Sequence, residues 1–267
     1  MKDIRIIAVD IDNTIIPAGE PRMSERLRKD FHKAIEKGMH VLINTGRHFT
    51  FLQPSLFEDL PMDMISTING ACLSDRNGKV LMKKEMSEET MNKLIRYSDE
   101  HRIGLGFKFE DHIVTYANYD RFIAGYLDKD SHMKKFIIRD DEQRTHHLRH
   151  GYPLGTFMIA EQEEMADLMD SSPELGFGWS YRHGYDVFSK SVNKATAVEA
   201  VLELTGLTWD NVIAFGDAGN DAPFVEKAGI SVAMGNSKDD LKKVAMYTAP
   251  DCKDDGVAVM LEELHII

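Results

Sequence analysis

Short apolar runs that stop abruptly at small polar residues constrain this chain more than anything else in it. Residues 4–9 form a β-branched run that ends at Asp10, with Asp12 and Thr14 following at steps of two. Residues 41–44 run into Thr45-Gly46-Arg47, and residues 64–68 into Asn69-Gly70. Near the other end, residues 212–215 lead into Gly216-Asp217-Ala218-Gly219-Asn220-Asp221. Between the first two runs, Leu27, Phe31, Ala34 and Ile35 recur at helical spacing, with Ser24 placed to cap the helix and Gly38 to stop it. A further helix is expected to start near His48. Strands alternating with helices predict an α/β fold, a doubly wound, Rossmann-like parallel sheet with helices on both faces.

The same grammar returns after residue 190. Residues 192–204 place Ala195, Val198, Val201 and Leu202 on one helical face, and residues 221–227 carry Pro223 in a first turn, where its missing N–H costs nothing. A strand at 230–233 follows, and Ser237 with Asp240 resembles a capping box. The middle reads differently. A helix at 87–100 precedes two strand-like runs, 104–109 and 112–118, joined by Glu110-Asp111 as in a hairpin. Strands at 136–139, 155–160, 177–181 and 185–188, with a helix at 162–169, complete an α+β module. A chain of 267 residues has room for two domains. The expected division is a core of residues 1–83 and 188–267, interrupted by an inserted α+β cap of residues 84–187.

Composition narrows the partners. With 32 basic and 44 acidic residues the net charge is -12, which repels nucleic acid and anionic membranes, and no run of Lys and Arg offsets it locally. No stretch of about 18 apolar residues is present, and the apolar run near the N-terminus is too short and too charged for a signal peptide. Cys72 and Cys252, far apart among apolar neighbours, read as reduced core thiols. The expected setting is the cytoplasm, with a small molecule as partner and neither nucleic acid nor membrane.

In an open parallel sheet, ligands bind beyond the carboxyl ends of the strands, so the polar clusters should converge on one crevice. That crevice would hold Asp10, Asp12, Asp217 and Asp221, which repel one another unless a cation lies among them. Oxygen ligands without His or Cys suit Mg²⁺. A cation attracts an anion in turn, and Thr45, Gly46 and Lys194 have the character of anion receptors. Gly46 admits close approach of backbone N–H groups, and the Thr45 hydroxyl can donate. Lys194 follows the expected N-cap Asn193, where the helix dipole disfavours a cation unless an anion compensates it. A carboxylate facing a phosphate beside Mg²⁺ is a competent nucleophile, a role that fits Asp10, and Asp12 can carry protons.

The segments Asp10-Ile11-Asp12-Asn13-Thr14, Thr45-Gly46-Arg47, Lys194 and Gly216-Asp217 with Asn220-Asp221 resemble the four ordered motifs of the haloacid dehalogenase superfamily of phosphohydrolases. Asn69-Gly70-Ala71, the large insertion and Met234-Gly235-Asn236 are similar to the Cof-type subfamily, which carries an α+β cap. The resemblance implies a Mg²⁺-dependent phosphatase of small phosphorylated metabolites, sugar phosphates foremost, with pyridoxal phosphate and flavin mononucleotide as further classes. It makes Asp10 nucleophile and metal ligand, Asp12 acid/base and metal ligand through its main-chain oxygen, and Asp217 the third protein ligand, with Asp221 in support. It sets the backbone of Ile11, Thr45, Gly46, Lys194 and Asn220 around the phosphate. Where the family commonly has Gly, this chain has Asn13, which tolerates positive φ, so the turn is expected to persist. The rival readings are a phosphomutase of the same superfamily and a non-catalytic phospho-ligand sensor. In the middle segment, His146, His147 and His150 lack acidic neighbours in sequence and read as solvated surface. Arg47, Arg182, His183, Tyr185 and Lys190 stand as candidates for substrate contact.

Overall fold

The structure is a computed structural model that describes residues 2–59, 62–128, 131–180 and 184–267, the side chains of Asp59 and Ser180 excepted. The chain divides into two compact units, one of residues 1–47, 52–82 and 193–267, the other of residues 48–51 and 83–192.

The first unit is built on an eight-stranded sheet in the spatial order Tyr247–Thr248, Ile230–Ala233, Val212–Gly216, Ile6–Val9, His40–Asn44, Met64–Thr67, Cys72–Asp75, Val80–Lys83. The first six run parallel. All four residues of Ile6–Val9 are buried, which requires cover on both faces. Ile6 and Ala8 pack with Ala195, Val198, Val201 and Leu202 of the helix Lys194–Thr205. On the opposite side the helix Glu25–Glu36, capped by Ser24, packs against His40–Asn44 and the helix Gly256–Glu263. The doubly wound core is therefore as the sequence predicts, with one addition. Cys72–Asp75 pairs antiparallel with Met64–Thr67, so the sheet is mixed at that edge. The chain order reverses on either side of Ile6–Val9, which opens the ligand crevice of such sheets at its carboxyl end, where Asp10 lies.

Two local expectations are corrected. The helix expected near His48 begins later, at Ser55–Asp59: a single 3₁₀ turn, Phe49–Phe51, follows His48 and belongs to the second unit, where the His48 ring bonds Phe109 O at 2.7 Å through Nε2 and Thr50 Oγ1 at 2.8 Å through Nδ1. Ser237 does not cap the helix Asp239–Val244. Lys238 holds the N-cap position, and the Ser237 hydroxyl donates to Met234 O.

The second unit carries a six-stranded sheet in the order Leu175–Ser180, Gly184–Ser189, Gly155–Ile159, Gly104–Lys108, Ile113–Ala117, Ile137–Arg139. It is antiparallel except for its last pair. The helices Glu88–Glu100 and Gln162–Asp170 bury Met91, Leu94, Met165 and Leu168 against one face. A helix absent from the sequence reading, Tyr119–Tyr126, packs on Gly104–Lys108, where a Cβ on Gly104 or Gly106 would collide with Phe122. His146 and its neighbours are not simply solvated. His146 Nε2 lies 2.8 Å from His112 Nε2, Asp140 accepts from the backbone N–H groups of residues 144–146, and the His147 ring meets the Tyr116 hydroxyl. Burial first, then the neighbouring His112 and His150 rings, lower His146 to about 4.

Candidate active site

Asp10 is placed by the sheet: its own N–H donates to Phe215 O of the neighbouring strand at 3.3 Å, and the residue is 6% exposed. The chain then turns tightly, with the N–H groups of Ile15 and Ile16 both donating to Ile11 O at 3.0 Å. Asn13 sits at φ 57°, so the turn expected from its tolerance of positive φ is present. Asn236 Nδ2 donates to Asn13 O and Asn236 Oδ1 accepts from Cys252 N–H, which ties this turn to the C-terminal part of the unit.

Lys194 enters the same point from another direction. Asn193 caps the helix Lys194–Thr205 by accepting from Ala195 N–H, which leaves Lys194 as the first helical residue, fully buried. Its ammonium lies 2.7 Å from Asp10 Oδ1 and 2.6 Å from Asp221 Oδ1. Burial opposes the charge, yet the two carboxylates outweigh it and hold Lys194 above its ordinary value. The unfavourable position at a helix N-terminus is thus compensated by two anions. Asp221 is held at both oxygens: Oδ1 faces Lys194, and Oδ2 accepts from the N–H groups of Asp217 and Ala218, both at 2.9 Å. It shapes the loop after Val212–Gly216 and presents Asp217, whose Oδ1 accepts from the Thr14 hydroxyl at 3.2 Å.

One carboxylate oxygen each of Asp10, Asp217 and Asp221 lies within 4.8 Å of the others. Three carboxylates and one ammonium leave the cluster two negative charges in excess when all are ionised. Burial raises Asp10 to about 7 despite Lys194, with Asp221 adding to the rise. Asp217 is raised to about 6, by burial and then by Asp221. An all-oxygen donor set with surplus negative charge fits a hard divalent cation. Because both oxygens of Asp221 are engaged, Asp10 and Asp217 are the carboxylates with donor capacity to spare, and Asp221 acts through them.

The remaining candidates divide. Thr45 is buried, and its Oγ1 accepts from Arg47 N–H, which leaves the hydroxyl proton free to be donated. Gly46 lies beside the Asn69 side chain, whose Oδ1 would be 2.8 Å from a Cβ at that position. Arg47 grips Asp12 through two hydrogen bonds of 2.8 and 2.7 Å, so its guanidinium is directed at the proposed acid/base. Asn220 is exposed and donates to Asn69 Oδ1, and Ile11 is buried. Tyr185 is 5% exposed, packed in the core of the second unit, edge-on to Trp179. Lys190 donates to Pro173 O. Arg182 and His183 lie outside the described residues. The sequence marks Thr14, the third member of the 10, 12, 14 alternation, and Asn44 at a strand end without giving either a role; Thr14 Oγ1 donates to Asp217 and Asn44 Nδ2 donates to Lys194 O at 2.9 Å.

With the site assembled, the comparisons with known proteins are specific. The model of the haloacid dehalogenase-like hydrolases matches residues 7–261. The chain is 29% identical over 257 residues to the 5-amino-6-(5-phospho-D-ribitylamino)uracil phosphatase YcsE of Bacillus subtilis, covering 96% of this chain and 94% of the relative. It is 26% identical over 287 residues to the pyridoxal phosphate phosphatase YbhA of Escherichia coli, covering 98% of this chain and 99% of the relative. Its fold is that of the subclass IIB sugar phosphatase BT4131, with a TM-score of 0.79 at 22% identity, over 98% of this chain and all of that one. The chain belongs to the haloacid dehalogenase-like hydrolases, and it is an enzyme of the phosphoric monoester hydrolase class. Among the described residues no helix is long and apolar enough to cross a membrane.

Proposed function

We propose that the protein is a Mg²⁺-dependent phosphatase of small phosphorylated metabolites, sugar phosphates foremost, working in the cytoplasm through an aspartyl-phosphate on Asp10. The observation that carries this reading is the buried ion cluster: a fully buried Lys194 bridging Asp10 and Asp221, with Asp217 beside them. A structural ion pair needs one carboxylate for its lysine, whereas an excess of two suits a site built for a metal and a phosphate. The kinship to phosphatases of a ribityl phosphate and of pyridoxal phosphate supports small phosphoesters as the substrate class.

In this reading Asp10 Oδ2 attacks phosphorus while Oδ1 is held by Lys194, so the nucleophile is oriented before substrate arrives. The P–O bond to the leaving alcohol breaks, and Asp12 supplies the proton to that oxygen. The same carboxylate then takes a proton from the water that cleaves the aspartyl-phosphate. Asp12 stands ion-paired with Arg47, so protonation of Asp12 must be accompanied by release of the guanidinium, which a phosphate can accept. The Thr45 hydroxyl, the Gly46 and Asn220 backbones and Lys194 hold the phosphate oxygens. Mg²⁺, held by Asp10, Asp217 and the main-chain oxygen of Asp12, would supply charge neutralisation to the carboxylates and the transferring group.

The test is phosphate release from p-nitrophenyl phosphate and from a panel of sugar phosphates, ribityl phosphates and pyridoxal phosphate, with Mg²⁺ and with chelator. Release by the native chain in Mg²⁺, lost with chelator and in Asp10→Asn, is expected. Native protein that releases no phosphate from any of them would refute the proposal, and an isomerised phosphoester without release would make the enzyme a mutase.

A further inference from the structure

Residues 68–70 have no role in the chemistry above, yet all three are left-handed: Ile68 at φ 53°, Asn69 at φ 52° and Gly70 at φ 94°. Positive φ in a buried β-branched residue is rare and costs free energy, so the surroundings must enforce it. Those surroundings are the site. Ile68 N–H donates to Arg47 O at 3.0 Å, and Asn69 N–H donates to Thr45 O at 3.1 Å. Asn69 Oδ1 accepts from Asn220 Nδ2 at 3.0 Å and lies over the bare face of Gly46. Gly70 passes so close to the start of the Lys194 helix that a Cβ there would be 2.1 Å from Asn193 O. One three-residue turn therefore meets three segments that carry the proposed phosphate contacts.

We propose that Asn69 is a positioning residue of the phosphate pocket: its main chain fixes Thr45, its side-chain oxygen fixes Asn220, and together they set the spacing of the two loops around the anion. The proposal rests on the phosphate reading of the site. Asn is suited to it because it tolerates the left-handed conformation better than most residues and still presents an acceptor. Glycine would keep the conformation and lose the acceptor.

The test is the affinity of native protein, Asn69→Gly, Asn220→Ala and the double variant for inorganic phosphate in Mg²⁺, by calorimetry, with thermal unfolding of each. Asn69→Gly should melt within about 4 °C of native, because glycine takes φ 52° without strain and only one hydrogen bond is lost. Its phosphate dissociation constant should rise about five- to tenfold, the loss of one neutral hydrogen bond. Asn220→Ala cuts the same tether, so the double variant should bind no more weakly than the weaker single one. An unchanged affinity in Asn69→Gly, or effects that multiply in the double variant, would overturn the proposal. Native protein that bound no phosphate would overturn it together with the phosphate reading. Native protein that bound phosphate but hydrolysed no ester would overturn only the phosphatase reading, and the variants would still decide the role of Asn69.

Discussion

Lys194→Met removes the one cation of the buried cluster while keeping the length and apolar character of the side chain. The native ammonium bridges two carboxylates at 2.7 and 2.6 Å, with Lys194 and Asp221 fully buried and Asp10 nearly so. Deleting one partner of a buried ionic pair costs about 3–5 kcal/mol, because the surviving charge is left buried and unpaired. For a chain of this size each kcal/mol is worth about 2–4 °C, so the first unit should melt on the order of 10 °C lower. The loss should depend on pH in a definite sense. Asp10 already stands at about 7, well above its unfolded value, and without Lys194 it rises further. A folded-state pKa raised in this way favours folding where the group is protonated and disfavours it as pH rises through that pKa. The deficit should therefore be largest near pH 8 and shrink toward pH 5.5. The assay is calorimetric unfolding of native and variant protein in chelator at both pH values. A variant that melts within 2 °C of native at pH 8 would show that the cluster is not held by Lys194. Turnover in Mg²⁺ should fall about 10²- to 10³-fold, the usual cost of losing a preorganised charge at a developing anion.

Asp12→Asn should lower turnover about 10²- to 10⁴-fold while leaving inorganic phosphate binding within a few-fold of native, since the proton carrier is lost and the Arg47 guanidinium released from its ion pair remains available to the anion; equal loss of both would reassign Asp12 to binding. Gly216→Ala places a Cβ 2.4 Å from Asp221 Cβ, so it should displace the Asp217 loop and weaken Mg²⁺ binding, read by calorimetric titration. His48 is lowered to about 4 by burial, against about 6.5 unfolded, so it stays neutral in the fold. The unfolded chain alone gains a proton as pH falls from about 6.5 to 4, which removes about 3 kcal/mol from the second unit across that window. His48→Gln should flatten that part of the stability profile, and an unchanged profile would show that His48 does not carry it.

The core was legible because its signals are local and repeated. Each strand is an apolar run ended by polar residues, and Asn193 before Lys194 is a helix start that the structure reproduces. What sequence could not supply is pairing across distance. Nothing near Arg47 says that it grips Asp12, and nothing near Asp221 says that both its oxygens are taken. The helix expected near His48 is displaced to Ser55–Asp59 because the second unit claims residues 48–51, with His48 bonded to Phe109 across 61 residues. The helix Tyr119–Tyr126 was missed because it is short and its packing depends on glycines at 104 and 106. The hairpin of Cys72–Asp75 and Val80–Lys83 did carry a signal, Asn77-Gly78, inside a stretch too polar to stand out. The burial of Tyr185 among core side chains is likewise decided by the fold, not by its place in the chain.

The chain passes between the two units at four points, 47/48, 51/52, 82/83 and 192/193, and the first of these follows directly on Thr45-Gly46-Arg47. The second unit is consequently not a cassette that can be lifted out at two junctions. A fragment of residues 83–192 would lack the His48 imidazole on Phe109 O and the Phe51 ring set edge-on to Tyr126 at 5.6 Å. Exchange of this module among relatives, in the laboratory or in evolution, would have to bring four residues of the host loop with it.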